Sequence, residues 1–249
     1  MLEYLIIFLF GLAIGSFLNV LIFRIPEGKS IVFPSSHCMF CNHSLQVFDL
    51  IPVLSFLLLR GRCRYCGERI SRQYPLVELL TGLVLLPFYH KFGLSTVFFI
   101  YSILVFTLIV ISVIDFKLKI IPNKITYPGI ILALILSLIF NHISFIPSLL
   151  GIIIPAGLFL LVALIYQKGL GMGDVKLVAM IGAVLGWQYT LLGVVFGSII
   201  GLIIIFCLMM LKKFKPRQQI PFGTFISIGT VLVILYGEEI VRAYLGHFL

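Results

Sequence analysis

Long apolar runs separated by short polar segments make up most of this chain. The runs lie at about 4–23, 74–90, 94–114, 127–140, 145–166, 177–188, 190–211 and 222–241. Because a helix needs roughly 17–25 mostly apolar residues to cross a bilayer, the pattern predicts an all-α polytopic membrane protein with about eight transmembrane helices. The runs 127–140 and 177–188 are short for a span. We expect them to extend into their flanks or to be broken helices that neighbouring helices bury.

The composition excludes an ordinary soluble enzyme. Of all residues, 61% are hydrophobic and only 11% are charged, whereas a soluble domain carries about 25% charged residues. The first run is not preceded by a basic segment and contains Glu3. We therefore interpret it as the first span rather than as a cleaved signal peptide.

The basic residues predict the orientation of the chain. With eight spans both termini lie on one side, and the opposite side holds all of the 18 Lys and Arg residues except Lys91 and Arg242. Cytoplasmic segments carry an excess of Lys and Arg, so this basic side is predicted to be cytoplasmic. Contact with anionic membrane lipids is sufficient to explain the net charge of +9. A nucleic-acid partner is not needed.

Two of the nine acidic residues differ from the others in their position. Asp115 ends one long apolar run, and Asp174 stands just before the start of another. An ionisable side chain at membrane depth is costly and indicates a functional site. Both acids fall at predicted cytoplasmic ends of spans, which favours one shared site. Two acids without a dedicated base are enough to activate a water molecule.

Residues 24–73 form the one sizeable polar stretch, and they contain two Cys-x-x-Cys pairs. The pairs are Cys38 with Cys41 and Cys63 with Cys66, separated by 21 residues. This spacing predicts a four-thiolate zinc site. Four thiolates complete a tetrahedron, so the metal is expected to be structural and to help fold a segment too short for a large core. A redox dithiol pair and an iron site are the alternatives.

Five sequence blocks, in order, resemble the bacterial prepilin peptidases, the membrane aspartyl proteases that process type IV pilins and related pseudopilins. The blocks are GSFLNVLIFRIP (15–26), RISRQYPLVELLTG (69–82), VIDFKLKIIPN (113–123), GLGMGDVKLVAMIGAVLGW (169–187) and IPFGTF (220–225). The fourth contains a GxGD motif. The fifth usually ends Pro-Phe-Gly-Pro in this family, and Thr224 replaces the last proline here. The resemblance runs almost from end to end.

The resemblance implies cleavage of a short basic leader from prepilins at the cytoplasmic face of the bacterial cytoplasmic membrane. It also implies N-methylation of the new amino terminus with S-adenosylmethionine. The two family aspartates correspond to Asp115 and Asp174, and the family cysteines correspond to the four cysteines above. The domains implied are a first transmembrane helix (1–23), a cytoplasmic zinc domain (24–73) and a transmembrane peptidase domain (74–249).

The expected chemistry of the two acids follows from their pairing. Close carboxylates cannot both ionise cheaply, so near neutral pH they share one proton. The ionised acid takes a proton from the attacking water, and the protonated acid hydrogen-bonds the scissile carbonyl. The sequence does not distinguish the base from the acid. Gly171 and Gly173 would let an extended peptide approach the backbone before Asp174; close helix packing is the alternative.

Two further residues are candidates for contact with substrate or for methylation. Glu78 lies a few residues inside an apolar run, and we hypothesise that it contacts the basic leader or the new amino terminus; pairing with Arg69 or Arg72 is the alternative. Gly61, before the second cysteine pair, is a candidate for the methylation site, or simply a turn. The chain has no strand–GxGxxG–helix unit that would bind a nucleotide.

Two other functions fit parts of the pattern. A proton-coupled transporter also uses paired membrane acids, but it predicts acids near the membrane midplane and inverted repeats. A non-catalytic, zinc-anchored assembly factor predicts that loss of either acid is harmless. Which prepilins are cut, and the oligomeric state, are not readable from the sequence.

Overall fold

A computed structural model of the chain describes residues 1–140, 143–166, 170–211 and 219–246. Within these ranges the regular structure is helical, apart from isolated bridge pairs in the cysteine segment. Five basic residues used for the topology prediction lie outside the described ranges; they are Lys168, Lys212, Lys213, Lys215 and Arg217. Gly169, which begins the fourth sequence block ahead of the GxGD motif itself, also lies outside them.

The chain divides into two compact units, Met1–Leu94 and Ser95–Leu249. In the first unit, α1 (Leu2–Arg24) and α3 (Gln73–Phe92) flank the cysteine segment, which contains a 3₁₀ turn and the short α2 (Leu54–Leu58). Helix α3 therefore groups with the first unit. The three-part division at residues 23 and 73 stays a prediction.

Helices α1 and α3 approach each other closely through glycines. A Cβ atom built on Gly11 would lie 2.6 Å from the Cα of Gly82, and one on Gly15 would lie 2.6 Å from the Cα of Glu78. Small residues allow such close backbone contact, which is how membrane helices gain packing energy without a hydrophobic driving force. Farther along α1, the buried Asn19 donates a hydrogen bond to the carbonyl of Tyr74 at 3.1 Å.

The second unit consists of five described helices, and α7 is the one that the others pack against most. They are α4 (Thr96–Leu118), α5 (Asn123–Phe140), α6 (Phe145–Ile165), α7 (Met172–Met210) and α8 (Phe222–Gly246). Helix α7 is interrupted at Gly186, where φ is 77° and ψ is 169°. Before this break, Leu177, Val178 and Ile181 are fully buried. Helices α5, α6 and α8 all contact α7, so α7 lies at the centre of the unit, and its part before the break is the most fully buried.

Six of the described helices are long and apolar enough to cross a membrane; they are α1, α4, α5, α6, α7 and α8. The all-helical membrane class is therefore confirmed, whereas the exact count of eight spans is not. The two short runs extend into their flanks, since α5 begins at Asn123 and α7 at Met172. The predicted runs 177–188 and 190–211 both lie in α7, which breaks at Gly186.

Helices α6 and α7 cross with their backbones in contact. A Cβ atom on Gly151 would overlap the carbonyl of Gly182, and a Cβ atom on Gly182 would overlap the carbonyl of Gly151. The atoms met are backbone atoms, so a rotamer change cannot relieve the overlap. By contrast, a Cβ atom on Gly157, also in α6, would meet nothing within 4 Å.

We expect Gly151→Ala to lower the free energy of unfolding by about 1–3 kcal/mol, because overpacking forces the two helices apart. Thermal melting of the purified protein in detergent measures the effect. Gly157→Ala is the matched control and should melt at or slightly above the wild-type temperature, since alanine favours a helix. Equal melting temperatures for the two variants would contradict the close crossing.

Candidate active site and metal centre

Asp115 lies in the last turn of α4, and its side chain is buried. The helix ends because Lys119 takes a left-handed conformation, with φ 58°, and donates its N–H to the carbonyl of Asp115 at 2.9 Å. Pro122 follows shortly after, and proline commonly follows such a C-terminal cap. Helix α5 then begins at Asn123. The local sequence therefore holds Asp115 at a helix end beside a tight connection.

The carboxylate of Asp115 is bound by the first turn of α8. Its Oδ2 accepts the N–H of Thr224 at 3.0 Å and lies 3.3 Å from the Thr224 hydroxyl, while that hydroxyl lies 3.0 Å from the carbonyl of Ser112. Thr224 is the third residue of α8, so its N–H has no partner within the helix. Asp115 thus caps α8 from a different helix, as an N-cap carboxylate does locally.

Asp174 lies in the first turn of α7. Its Oδ2 accepts the N–H of Gly171 at 3.3 Å, and its own N–H donates to the carbonyl of Gly171 at 3.1 Å. The residue is partly exposed. The carboxylates of both acids therefore lie at helix N-termini, that of Asp115 at the start of α8 and that of Asp174 at the start of its own helix, where the helix dipole favours negative charge.

The side chain of Ile121 lies between the two helix ends. A Cβ atom on Gly173 would lie 3.0 Å from the Cβ of Ile121, and one on Gly223 would lie 2.8 Å from its Cδ1 and 3.2 Å from Asp115 Oδ2. The charge of Asp115 also acts on Asp174. The structure thus brings the two acids to one site in the second unit. A side chain at position 173 would crowd Ile121 of the α4–α5 connection; the role of Gly171 and Gly173 in peptide approach stays a prediction.

A lysine ties the first turns of α5 and α7 together near this site. Lys176 donates to the side-chain oxygen of Asn123 at 2.9 Å, and its ammonium group lies 5.1 Å from the centre of the Tyr127 ring. The site as a whole offers two interacting carboxylates, each beside backbone donors. Such a pair can hold one proton and leave one acid ionised. It is an arrangement for acid–base chemistry on a water molecule.

The four cysteines of the first unit form the predicted cluster. Their sulfur atoms all lie within 4.8 Å of one another, and Cys38 Sγ lies 3.8 Å from Cys66 Sγ. Around a zinc ion with Zn–S bonds of about 2.3 Å, the sulfur atoms of a tetrahedron are about 3.8 Å apart. The residues present therefore fit a tetrahedral metal ion.

Two similar backbone turns hold the cysteine pairs. In the first, Asn42 donates its N–H to the carbonyl of Cys38 at 2.9 Å; in the second, Gly67 donates to the carbonyl of Cys63 at 2.9 Å. Asn42 and Gly67 have φ values of 55° and 73°, and asparagine and glycine tolerate this conformation best. Each turn thereby directs two sulfur atoms towards the same point.

The thiols are crowded enough to alter their acidity. Although desolvation opposes it, hydrogen bonds from the backbone of Cys41 and Phe40 lower the pKa of Cys38 to about 7. At Cys66 the backbone N–H of Glu68 lowers the pKa, but desolvation and the other three sulfur atoms outweigh it and raise the pKa to about 12. Thiols this close influence one another's ionisation, and a bound metal ion would favour the thiolate form of all four.

Asp49 links the segment between the cysteine pairs to the second pair. Its carboxylate accepts the hydroxyl of Tyr65 at 3.0 Å and contacts the guanidinium of Arg64 at 2.7 Å. Desolvation opposes these contacts, yet the N–H of Gln46, Tyr65 and Arg64 together lower the pKa of Asp49. The Tyr65 ring lies 3.7 Å from the ring of His43, centre to centre. These contacts join the two turns independently of a metal.

A cavity of about 530 Å³ lies within the first unit. Its walls include the rings of Phe23 and Tyr74, stacked 5.3 Å apart, together with Arg24, Glu27 and Glu78. The size is within the range of about 300–1,000 Å³ typical of small-molecule sites. The walls carry ring faces together with equal numbers of acidic and basic side chains, so they can contact both the aromatic and the charged parts of a small molecule.

The buried Glu78 holds α2 in place. Its carboxylate accepts the N–H of Val53 at 2.7 Å, at the start of α2, and a hydrogen bond from Ser16. These contacts differ from the pairing with Arg69 or Arg72 that the sequence offered. Contact of Glu78 with a substrate stays a prediction.

Gly61 forms the turn after α2. It has φ 67°, donates its N–H to the carbonyl of Phe56 at 2.8 Å, and accepts the N–H of Ile70 at 2.8 Å. A Cβ atom here would lie 2.9 Å from the Phe56 ring, and Phe56 lines the cavity. The turn anticipated from the sequence is present. A role for Gly61 in methylation stays a prediction.

The contacts of Thr224 and Val53 were not anticipated from the sequence. The sequence pointed to Thr224 only through the fifth block, where the family usually has proline. Threonine has an N–H and a hydroxyl that can donate hydrogen bonds, and proline has neither. Val53 gave no signal, since its N–H is a backbone group without any sequence signature.

The chain matches two protein-family models. One, described as the Bacterial Peptidase A24 N-terminal domain, covers residues 9–92, and the other, the Type IV leader peptidase family, covers residues 102–206. The first match falls within the first compact unit and the second within the second.

Several curated proteins named prepilin leader peptidase/N-methyltransferase resemble the chain over most of its length. The protein from Bacillus subtilis is 35% identical over 96% of this chain and 97% of its own. That from Aeromonas hydrophila is 33% identical over 100% and 96%, and that from Pseudomonas aeruginosa is 32% identical over 95% and 91%. No solved structure matches the chain significantly. By these matches and by its paired acids and clustered cysteines, the chain belongs to the type IV leader peptidase family.

Proposed function

We propose that the chain is a membrane aspartyl endopeptidase that removes the short basic leader from type IV prepilins or pseudopilins. We further propose that it methylates the new amino terminus. The observation that carries the peptidase proposal is the meeting of Asp115 and Asp174 at the N-terminal ends of α8 and α7. Relatives that cover almost the whole chain carry both activities in their name.

In the proposed mechanism the two acids hold one proton between them. The ionised carboxylate takes a proton from a water molecule as the water attacks the scissile carbonyl carbon, and the protonated acid donates a hydrogen bond to the carbonyl oxygen. The tetrahedral intermediate then collapses, and a proton passes from an acid to the leaving amine. The backbone donors around both acids hold them in place throughout.

The proposed orientation puts this site at the cytoplasmic face of the bacterial cytoplasmic membrane. The support is the excess of Lys and Arg on one side of the predicted topology and the place of both acids at helix ends. A prepilin has a basic leader followed by an apolar helix, so its cleavage point would lie at headgroup depth. Membrane lipids and prepilins are the proposed partners.

We propose that the four cysteines bind a structural zinc ion. Their mutual distances fit a tetrahedron, and four thiolates favour zinc or iron–sulfur chemistry over hard cations. The four sulfur ligands leave no open position, so the ion would stabilise the segment between α1 and α3 rather than take part in hydrolysis.

We propose that S-adenosylmethionine binds in the cavity of the first unit. The rings of Phe23 and Tyr74 suit contact with a purine or a sulfonium cation, and the buried carboxylate of Glu78 in the same lining suits its positive charge. When bound, the cofactor supplies the methyl group. The role of the chain is to hold it and to exclude water.

Asp115→Asn and Asp174→Asn are each expected to slow prepilin cleavage by at least about 10²–10⁴-fold, because an amide cannot exchange the proton that the reaction needs. The mass shift of a purified prepilin incubated with purified enzyme measures cleavage. Glu238→Gln, on an exposed part of α8, is the matched control and should cleave normally. Retained cleavage in both aspartate variants would contradict the protease and favour a non-catalytic assembly role.

The purified protein is expected to contain about one zinc ion per chain. The double variant Cys63→Ser/Cys66→Ser should lose it, because two of the four ligands are gone. Cys207→Ser removes an exposed thiol of α7 and is the control that should keep full metal content. Mass spectrometry of the metal measures all three; unchanged zinc in the double variant would reject the site.

Tyr74→Leu should weaken binding of S-adenosylmethionine about tenfold, because it removes one ring of the stack that lines the cavity. Calorimetric titration of the purified protein with the cofactor measures the affinity without any methylation assay. Tyr236→Leu, at an exposed position of α8, is the control and should bind normally. Equal affinity of Tyr74→Leu and wild type would exclude the cavity as the binding site.

A further inference from the structure

The first turn of α8 surrounds the carboxylate of Asp115 with donors. Thr224 offers its N–H at 3.0 Å and its hydroxyl at 3.3 Å to Oδ2. Gly223 leaves room for this approach, since a Cβ atom there would lie 3.2 Å from the same oxygen. Successive N–H groups at a helix start form a natural cradle for an anion.

The hydroxyl of Thr224 also joins α8 to α4. It lies 3.0 Å from the carbonyl of Ser112, one turn before Asp115. A hydroxyl has one hydrogen and can donate to either oxygen in turn. The side chain therefore spans the last turn of α4 and holds the carboxylate and the backbone behind it in one orientation.

A proline at position 224 could make neither contact. Proline has no N–H and no hydroxyl, although the first turn of a helix otherwise accepts it well. The family block that this segment resembles usually has proline at this position. In this chain Thr224 thus gives the carboxylate of Asp115 two hydrogen-bond donors, its N–H and its hydroxyl, that a proline would lack.

We propose that Thr224 is a positioning residue for the cleavage reaction, fixing the orientation of Asp115 through its N–H and its hydroxyl. This inference rests on the proposed peptidase function. A carboxylate held by charge-assisted hydrogen bonds keeps one rotamer, and small errors in the placement of a catalytic group are costly for rate. Thr224 acts on Asp115 and not on the substrate, so its loss should affect kcat and not KM.

The test compares three variants in prepilin cleavage. Thr224→Val keeps the shape and the N–H but removes the hydroxyl, and it should lower kcat about tenfold with KM within about twofold of wild type. Thr224→Ser restores the hydroxyl and should recover wild-type kcat. Thr230→Val is the matched control: this buried residue of α8 donates its hydroxyl to the carbonyl of Ile226 within its own helix. It should leave kcat unchanged.

A second measurement is independent of cleavage. A double-mutant cycle on the melting temperature, with Thr224→Val, Asp115→Asn and both together, measures the coupling of the two side chains. We expect the double variant to lose less than the sum of the single losses. Additive losses, or a kcat of Thr224→Val equal to that of Thr230→Val, would overturn the inference. A wild-type protein that cuts no prepilin would instead overturn the peptidase proposal itself.

Discussion

The start of a helix inside a membrane protein leaves N–H groups without partners, and this constraint organises the candidate site. The four N-terminal N–H groups of a helix need partners from outside it, and the part of a membrane protein away from water must supply them itself. Helix α8 satisfies its first turn with Asp115 of α4, and α7 satisfies its first turn with its own Asp174. The two carboxylates that chemistry requires are thus also the groups that complete two helix ends.

Close backbone packing supplies the rigidity that this arrangement needs. The first part of α7 touches α6 through Gly182 and Gly151, and it touches α5 where a Cβ atom on Gly129 would lie 3.0 Å from the Cγ of Met180. The break at Gly186 turns the first part of α7 into a short helix buried on all sides. Its N-terminus is therefore held from several directions, and Asp174 with it.

The sequence predicted the sites correctly in space where a residue type costs free energy at its position unless it has a partner. Acids at the ends of apolar runs and paired cysteines in a polar segment both proved to be clustered in space, because burying a charge or crowding thiols demands a partner. Backbone partners leave no such trace. The N–H of Val53 that binds Glu78, the cap that Asp115 places on α8, and the break at Gly186 depend on tertiary packing, which short-range patterns do not encode.

The two units solve the same electrostatic problem in different ways. The four cysteine sulfur atoms lie within 4.8 Å of one another. Four thiolates at this distance repel one another, and a divalent cation between them removes that repulsion. The two aspartates meet helix N-termini, and in the proposed site a shared proton lowers their mutual repulsion. A bound cation would hold charge fixed and suits a structural role. A shared proton leaves the carboxylates free to exchange it with water, and this suits the role in hydrolysis that we propose for the aspartates.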